Sequence, residues 1–193
     1  MDARAVTSNT PVGLQSAQCQ PSGSEIACSL LPSCLSPGGW RLALDKYYLN
    51  LAGEYRVASE LFKRGVFATI AYGNRKGADI YVIGPNRRTA VVEVKASNSD
   101  RFVTGFYQKY ADEAKEHPHF WVLYSLKKDG AEEFYILTHQ EMAKAQADRN
   151  FPGRSLTWAE RTHGVARGVD NVLAKDLQAH KSAWEKIVGW CSG

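Results

Sequence analysis

The sequence predicts an α/β domain with a mixed central sheet flanked by helices. Apolar residues recur at helical spacing between Leu44 and Phe62. Three short β-type runs follow, divided by turns rich in Gly, Asn and Arg. A further helical segment then leads into two more β-type runs. At 193 residues and 21.4 kDa the chain has room for one sizeable core and a tail.

Each element has a local reason. Leu44, Tyr48, Leu51, Tyr55, Ala58 and Phe62 recur every three or four positions, and Lys63-Arg64-Gly65 supplies a basic last turn and a glycine stop. Val66–Tyr72, Ala78–Ile83 and Thr89–Ala96 read as strands, separated by Gly73-Asn74-Arg75-Lys76-Gly77 and Gly84-Pro85-Asn86-Arg87. Phe106–Glu116 reads as a helix bounded by Pro118. Phe120–Leu126 and Glu133–Thr138 pair around Lys128-Asp129-Gly130. Gln140–Arg149 is expected to be helical, 150–168 a loop and Asn171–Val188 a final helix. The expected order is α-β-β-β-α-β-β-α-α.

Residues 1–40 read as a low-complexity, disordered tail. They are rich in Ser, Gln, Pro and Gly and show neither helical nor strand periodicity. Residues 41–193 are the expected folded domain. No apolar run approaches the roughly 20 residues of a membrane span, so no membrane partner is expected. The short apolar run Ile26–Leu31 lacks the basic lead-in of a secretory signal. The four cysteines, at 19, 28, 34 and 191, fit no zinc-knuckle spacing, which leaves reduced thiols and a cytoplasmic setting as the expectation. A net charge of +4 permits a polyanionic partner without requiring one. The absence of G-x-S-x-G, P-loop and G-x-G-x-x-G patterns removes the usual serine-hydrolase, NTPase and dinucleotide readings, so no nucleotide cofactor is expected.

The residues with chemistry lie on the second and third expected strands. Alternation puts Val91, Glu93 and Lys95 on one face of the third strand, and Asp79 shares a face with Tyr81 and Ile83 on the second. The Gly-Pro turn brings the start of one strand level with the end of the other. Two carboxylates and an ammonium then meet at one end of a small sheet. On the preceding helix Glu54 falls inside the arc that faces the sheet, whereas Glu60 points to water. Crowded carboxylates repel one another unless a cation sits between them, and hard oxygen donors with open water positions suit Mg²⁺, with Mn²⁺ as a substitute. The same residues also admit a plainer reading, a hairpin whose exposed face carries a Glu93–Lys95 or Asp79–Lys95 ion pair.

Glu54, then Gly77-Ala78-Asp79, then Val92-Glu93-Val94-Lys95 resembles the PD-(D/E)xK nuclease superfamily, which includes restriction endonucleases, Holliday junction resolvases and some homing endonucleases. The resemblance covers about residues 45–137 and departs from the pattern at Ala78, where the motif has Pro. It implies a restriction-endonuclease-like α-β-β-β-α-β core and metal-dependent endonuclease activity on DNA. Asp79, Glu93 and the Val94 carbonyl would be metal ligands, and Glu54 would match the helix glutamate of many members. Lys95 would position or deprotonate the attacking water or stabilise the phosphorane. A homodimer follows from the same resemblance, because one such site cuts one strand.

Arg75 and Lys76 sit in the turn nearest Asp79 and are the favoured phosphate contacts, with Gln108 and Lys109 as auxiliary nucleic-acid contacts. Arg87, Arg88, Lys127 and Lys128 occupy further basic turns. Tyr107 reads as core more than as a stacking platform. His117 and His119 flank Pro118 without a third ligand at suitable spacing. Trp158, Trp184 and Trp190 read as packing for the last helix. The apolar face of that helix could alternatively serve a dimer. The competing functional readings are a catalytically silent nucleic-acid-binding or protein-interaction module of the same fold, and a toxin–antitoxin or phage-associated interaction module.

Overall fold

The structure, a computed structural model, describes residues 45–72, 78–85, 87–110, 116–157, 159–160 and 169–193. All belong to one compact unit, Leu42–Gly193. The expected tail, the Arg75–Lys76 turn and Trp158 lie outside the described residues.

Helix α1 (Lys46–Lys63) starts at Asp45, whose carboxylate accepts from the Tyr47 N–H at 2.9 Å. It stops where Gly65 takes the left-handed conformation, φ +74°. Its buried stripe is Leu49, Gly53, Val57, Ala58 and Leu61. The expected stripe through Tyr48, Tyr55 and Phe62 is therefore corrected: these are 61%, 49% and 52% exposed. The reason is a close approach. A Cβ on Gly53 would lie 3.0 Å from the Ala96 Cβ and 3.1 Å from the Tyr124 ring, so only small residues fit there and the aromatics turn outward.

Five strands form one sheet: β1 (Phe67–Ile70), β2 (Ile80–Ile83), β3 (Thr89–Ser97), β5 (Phe120–Leu126) and β6 (Glu132–Thr138). Their order is β1-β2-β3-β5-β6. The β1–β2, β2–β3 and β5–β6 pairs are antiparallel, and β3–β5 is parallel. Parallel neighbours need a crossover. It runs through β4 (Arg101–Val103), which the sequence reading missed, and α2 (Phe106–Tyr110). The α-β-β-β-α-β core is thus present, with β4 added before its second helix.

Helices cover both faces. Alternate β3 residues Ala90, Val92 and Val94 join a core with Val57, Leu61, Trp184 and Ile187. On the opposite face Trp121, Leu123 and Tyr135 pack with Phe106, Tyr110 and Met142. Helix α3 (His139–Asn150) begins with a capping box between Thr138 and Glu141.

The single helix expected over Asn171–Val188 is corrected. The segment divides into β7 (Asn171–Leu173), a 3-10 helix (Ala174–His180) and α4 (Glu185–Ser192). Val172 pairs with Phe102 across an antiparallel β4–β7 ribbon, and Ser182 breaks the chain direction at φ +54°. The apolar residues keep helical spacing but meet different partners. Trp184 and Ile187 are buried in the sheet core, so they do not form a free dimer face.

Candidate active site

The register Ile80↔Val92 puts Asp79 opposite Glu93, where β2 begins and β3 continues beyond it. Asp79 donates its N–H to the Val92 carbonyl at 3.2 Å, and its Oδ2 accepts from the Val94 N–H at 2.7 Å. In an extended strand the N–H and C=O of one residue point to the same side, so the Val94 carbonyl is directed toward the Asp79 side of the sheet.

Glu93 is 1% exposed and fully engaged. Its Oε1 meets Lys95 Nζ at 2.6 Å and also Lys109 Nζ, and its Oε2 accepts from the Tyr110 hydroxyl at 2.6 Å. Lys95 is 23% exposed and sits 6.0 Å from the Trp121 ring centre. A Glu93–Lys95 ion pair therefore exists, but in a buried cluster and not on the exposed hairpin face of the plainer reading.

Burial alone would push the Glu93 carboxyl up, yet Lys95 and Lys109 together hold it below the usual carboxylate range. Burial pulls Lys95 down, and the Glu93 charge and hydrogen bond outweigh it, leaving Lys95 above its ordinary value and protonated at neutral pH. Asp79 is raised, chiefly by desolvation, against the opposing Lys95 charge and the Val94 N–H. Glu54 reaches toward this group from the half-buried flank of α1. Its pKa is raised to about 7, first by desolvation and then by the Asp79 charge, with Lys95 pulling the other way.

The structure thus brings Asp79, Val94, Glu93 and Lys95 together at the start of β2, with Glu54 coupled to them through Asp79 and Lys95. Lys109 is drawn into the cluster on Glu93, while Gln108 is exposed on α2. Tyr110 was missed by sequence reading. Its only sequence signal is adjacency to Lys109, and the contact with Glu93 is tertiary. Also missed was Asp170, whose carboxylate accepts from the Phe106 N–H at 2.8 Å and the Tyr107 N–H at 3.1 Å and so fixes the start of α2.

His119 Nδ1 accepts from the Val91 N–H at 3.1 Å, and the His117 ring stacks on His139 at 4.0 Å. Among the described residues no three His, Cys, Asp or Glu side chains converge tightly enough to hold a metal ion between them. The donors that do adjoin are the Asp79 carboxylate, the Val94 carbonyl and, coupled electrostatically, Glu54. Mg²⁺ commonly binds through one or two carboxylates and completes its shell with water and substrate phosphate, so this hard-oxygen set fits that ion. Glu93, held by two ammonium groups, is not free to join it in this arrangement.

Among the described residues no helix is long and apolar enough to cross a membrane. Neither a protein-family model nor a curated protein matches the sequence. Among solved structures the chain is similar to a bacterial homing endonuclease, I-Ssp6803I, at 14% identity and a TM-score of 0.40. The similarity spans 72% of this chain and 90% of that one, a distant likeness on which nothing below depends.

Proposed function

We propose that the protein is a divalent-metal-dependent endonuclease that hydrolyses phosphodiester bonds in DNA, with the site organisation of the PD-(D/E)xK nucleases. The observation that carries this reading is the meeting of Asp79, bound to the Val94 N–H at 2.7 Å, with the buried Glu93–Lys95 pair at 2.6 Å on the adjoining strand. The raised pKa of Glu54, caused first by desolvation and then by the Asp79 charge, agrees with it. Asp79, the Val94 carbonyl and Glu54 would hold Mg²⁺ or Mn²⁺, with Glu93 joining if its lysines turn to phosphate. Such an ion supplies Lewis acidity, lowering the pKa of bound water and offsetting charge on the phosphate oxygens.

The chain's own residues do the rest. Lys95 is protonated, so it acts as a fixed positive charge aimed at the developing phosphorane and orients water; it is not the base. Glu54, raised to about 7 by desolvation and the Asp79 charge in the metal-free protein, would be held ionised by an ion beside it and so complete the oxygen set. Glu93 positions Lys95, and Tyr110 fixes Glu93. Arg75, Lys76 and Gln108 would contact the nucleic acid. Cutting both strands calls for a homodimer, and the setting of this reading is cytoplasmic.

The test is supercoiled plasmid incubated with full-length protein in Mg²⁺, Mn²⁺ or EDTA. Wild type is expected to nick or linearise it in either metal only, and Lys95→Ala to slow cleavage by about 10²-fold or more. Full cleavage by folded Lys95→Ala would remove the site assignment. One observation favours a second reading, a silent DNA-binding module: both Glu93 oxygens are already occupied by Lys95, Lys109 and Tyr110. Retention of plasmid with no cleavage in either metal selects it.

A further inference from the structure

A cleft of about 860 Å³ opens beside Lys95 and Lys109, between the first turns of α1 and the 97–105 segment that carries β4. Its walls bring in Lys46, Asn50 and Arg101. The two cluster lysines have their charge met by Glu93, and the acidic wall residue Asp100 is paired with Lys127. Lys46 and Arg101 are exposed, and among the described residues their side chains make no ion pair or hydrogen bond. Asp45 precedes Lys46 as the N-cap of α1, with its carboxylate engaged by the Tyr47 N–H at 2.9 Å. Leu49, Val103 and Leu173 supply apolar wall, and among the described residues no aromatic ring lines the cleft.

We infer that this cleft seats the sugar-phosphate backbone of the nucleic acid leading to Lys95, with Lys46 and Arg101 as phosphate contacts on its two walls. The choice of DNA as ligand rests on the endonuclease reading; the chemistry recognised, a run of phosphodiesters, rests on the cleft. Two unpaired cations on opposite walls match a polyanion that passes between them. Lys46 and Arg101 would meet phosphates, and phosphate contacts position a strand without carrying sequence information. The share of binding that these two cations supply is therefore tolerant of sequence.

The experiment is fluorescence anisotropy of full-length protein with two short fluorescein-labelled DNA duplexes of unrelated sequence, in EDTA, across a salt series. Circular dichroism melts check the fold of each variant. Lys46→Ala and Arg101→Ala should each weaken both duplexes about eightfold at 0.1 M salt. Each should also make the log–log salt dependence shallower by about 0.9. Lys144→Ala removes the same charge from α3, outside the cleft, and should leave that slope unchanged. Slopes of Lys46→Ala and Arg101→Ala equal to that of Lys144→Ala overturn the inference, as does a wild type that binds neither duplex. Wild-type cleavage with unchanged slopes removes the cleft and leaves the endonuclease reading. Reduced slopes with no wild-type cleavage in Mg²⁺ or Mn²⁺ remove that reading and leave the cleft.

Discussion

Replacing Glu54 with Gln removes the carboxyl whose proton affinity lies nearest neutrality. Its ordinary value is 4.5 and the fold raises it to about 7, by desolvation first and the Asp79 charge second. An acid raised in the folded state binds its proton more tightly there than in the unfolded chain. Stability is therefore highest while the group is protonated in both states, falls as pH climbs from 4.5 to about 7, and stays reduced above. The full shift would correspond to about 3 kcal/mol. Glu54 is only half-buried and solvent screens it, so about 1–2 kcal/mol is the working expectation. Urea denaturation of wild type and Glu54→Gln, metal-free, at pH 5 and pH 8 measures it. The variant should gain about 1–2 kcal/mol on wild type between the two pH values. Glu93 is lowered, so its stability is lost as pH falls below 4.5, outside this interval. Asp79 and His119 titrate in both proteins, and the difference largely removes them. Parallel stability curves for the two proteins would refute the raised Glu54 and with it the crowded-carboxylate account of the site.

Two further outcomes concern the scaffold. A Cβ added at Gly84 would sit 2.2 Å from the Cys191 carbonyl oxygen, a backbone atom, so Gly84→Ala must displace the end of α4. About 1–3 kcal/mol of lost stability is expected by urea denaturation, and wild-type stability would deny that close approach. Asp170→Ala strips the start of α2 of its acceptor and leaves the Thr104 hydroxyl without its 3.1 Å contact. A loss of about 1–2 kcal/mol is expected, with slower plasmid cleavage because α2 carries Lys109 and Tyr110; undiminished rate and stability would show that α2 does not need this anchor.

The parts of this molecule legible in sequence are those set by short-range periodicity. Alternation along β2 and β3, joined by a Gly-Pro turn, is local, and it was enough to place Asp79, Glu93 and Lys95 on one face. The phase of α1 was not legible, because hydrophobicity favours Tyr48, Tyr55 and Phe62 whereas the packing face is chosen by what can approach Ala96 and Tyr124, namely Gly53 and its small neighbours. The end of the chain misled for a related reason. Leu173, Leu177, Trp184 and Val188 keep a helical spacing, yet Leu177 is buried in the core on one face of the sheet and Trp184 in the core on the other, and Ser182 interrupts them. Within the site, the carboxylates and Lys95 were readable, but the grip of Lys109 and Tyr110 on Glu93 depends on where α2 lands after the crossover. That landing is fixed by Asp170, more than sixty residues further along the chain.

β1 lies at the rim of the sheet, four residues long, with Phe67 turned outward and, among the described residues, only β2 paired beside it. An open rim of this kind is a template on which another chain can align, the route by which sheet proteins self-associate into aggregates. Here the hazard is limited by brevity and by the polar cluster just ahead of the strand, where Lys63 and Arg64 both pair with Glu60 at 2.7 Å. Removing those two charges, for instance in surface engineering meant to aid crystallisation, would leave Glu60 without these partners and strip this rim of the polar cluster beside it.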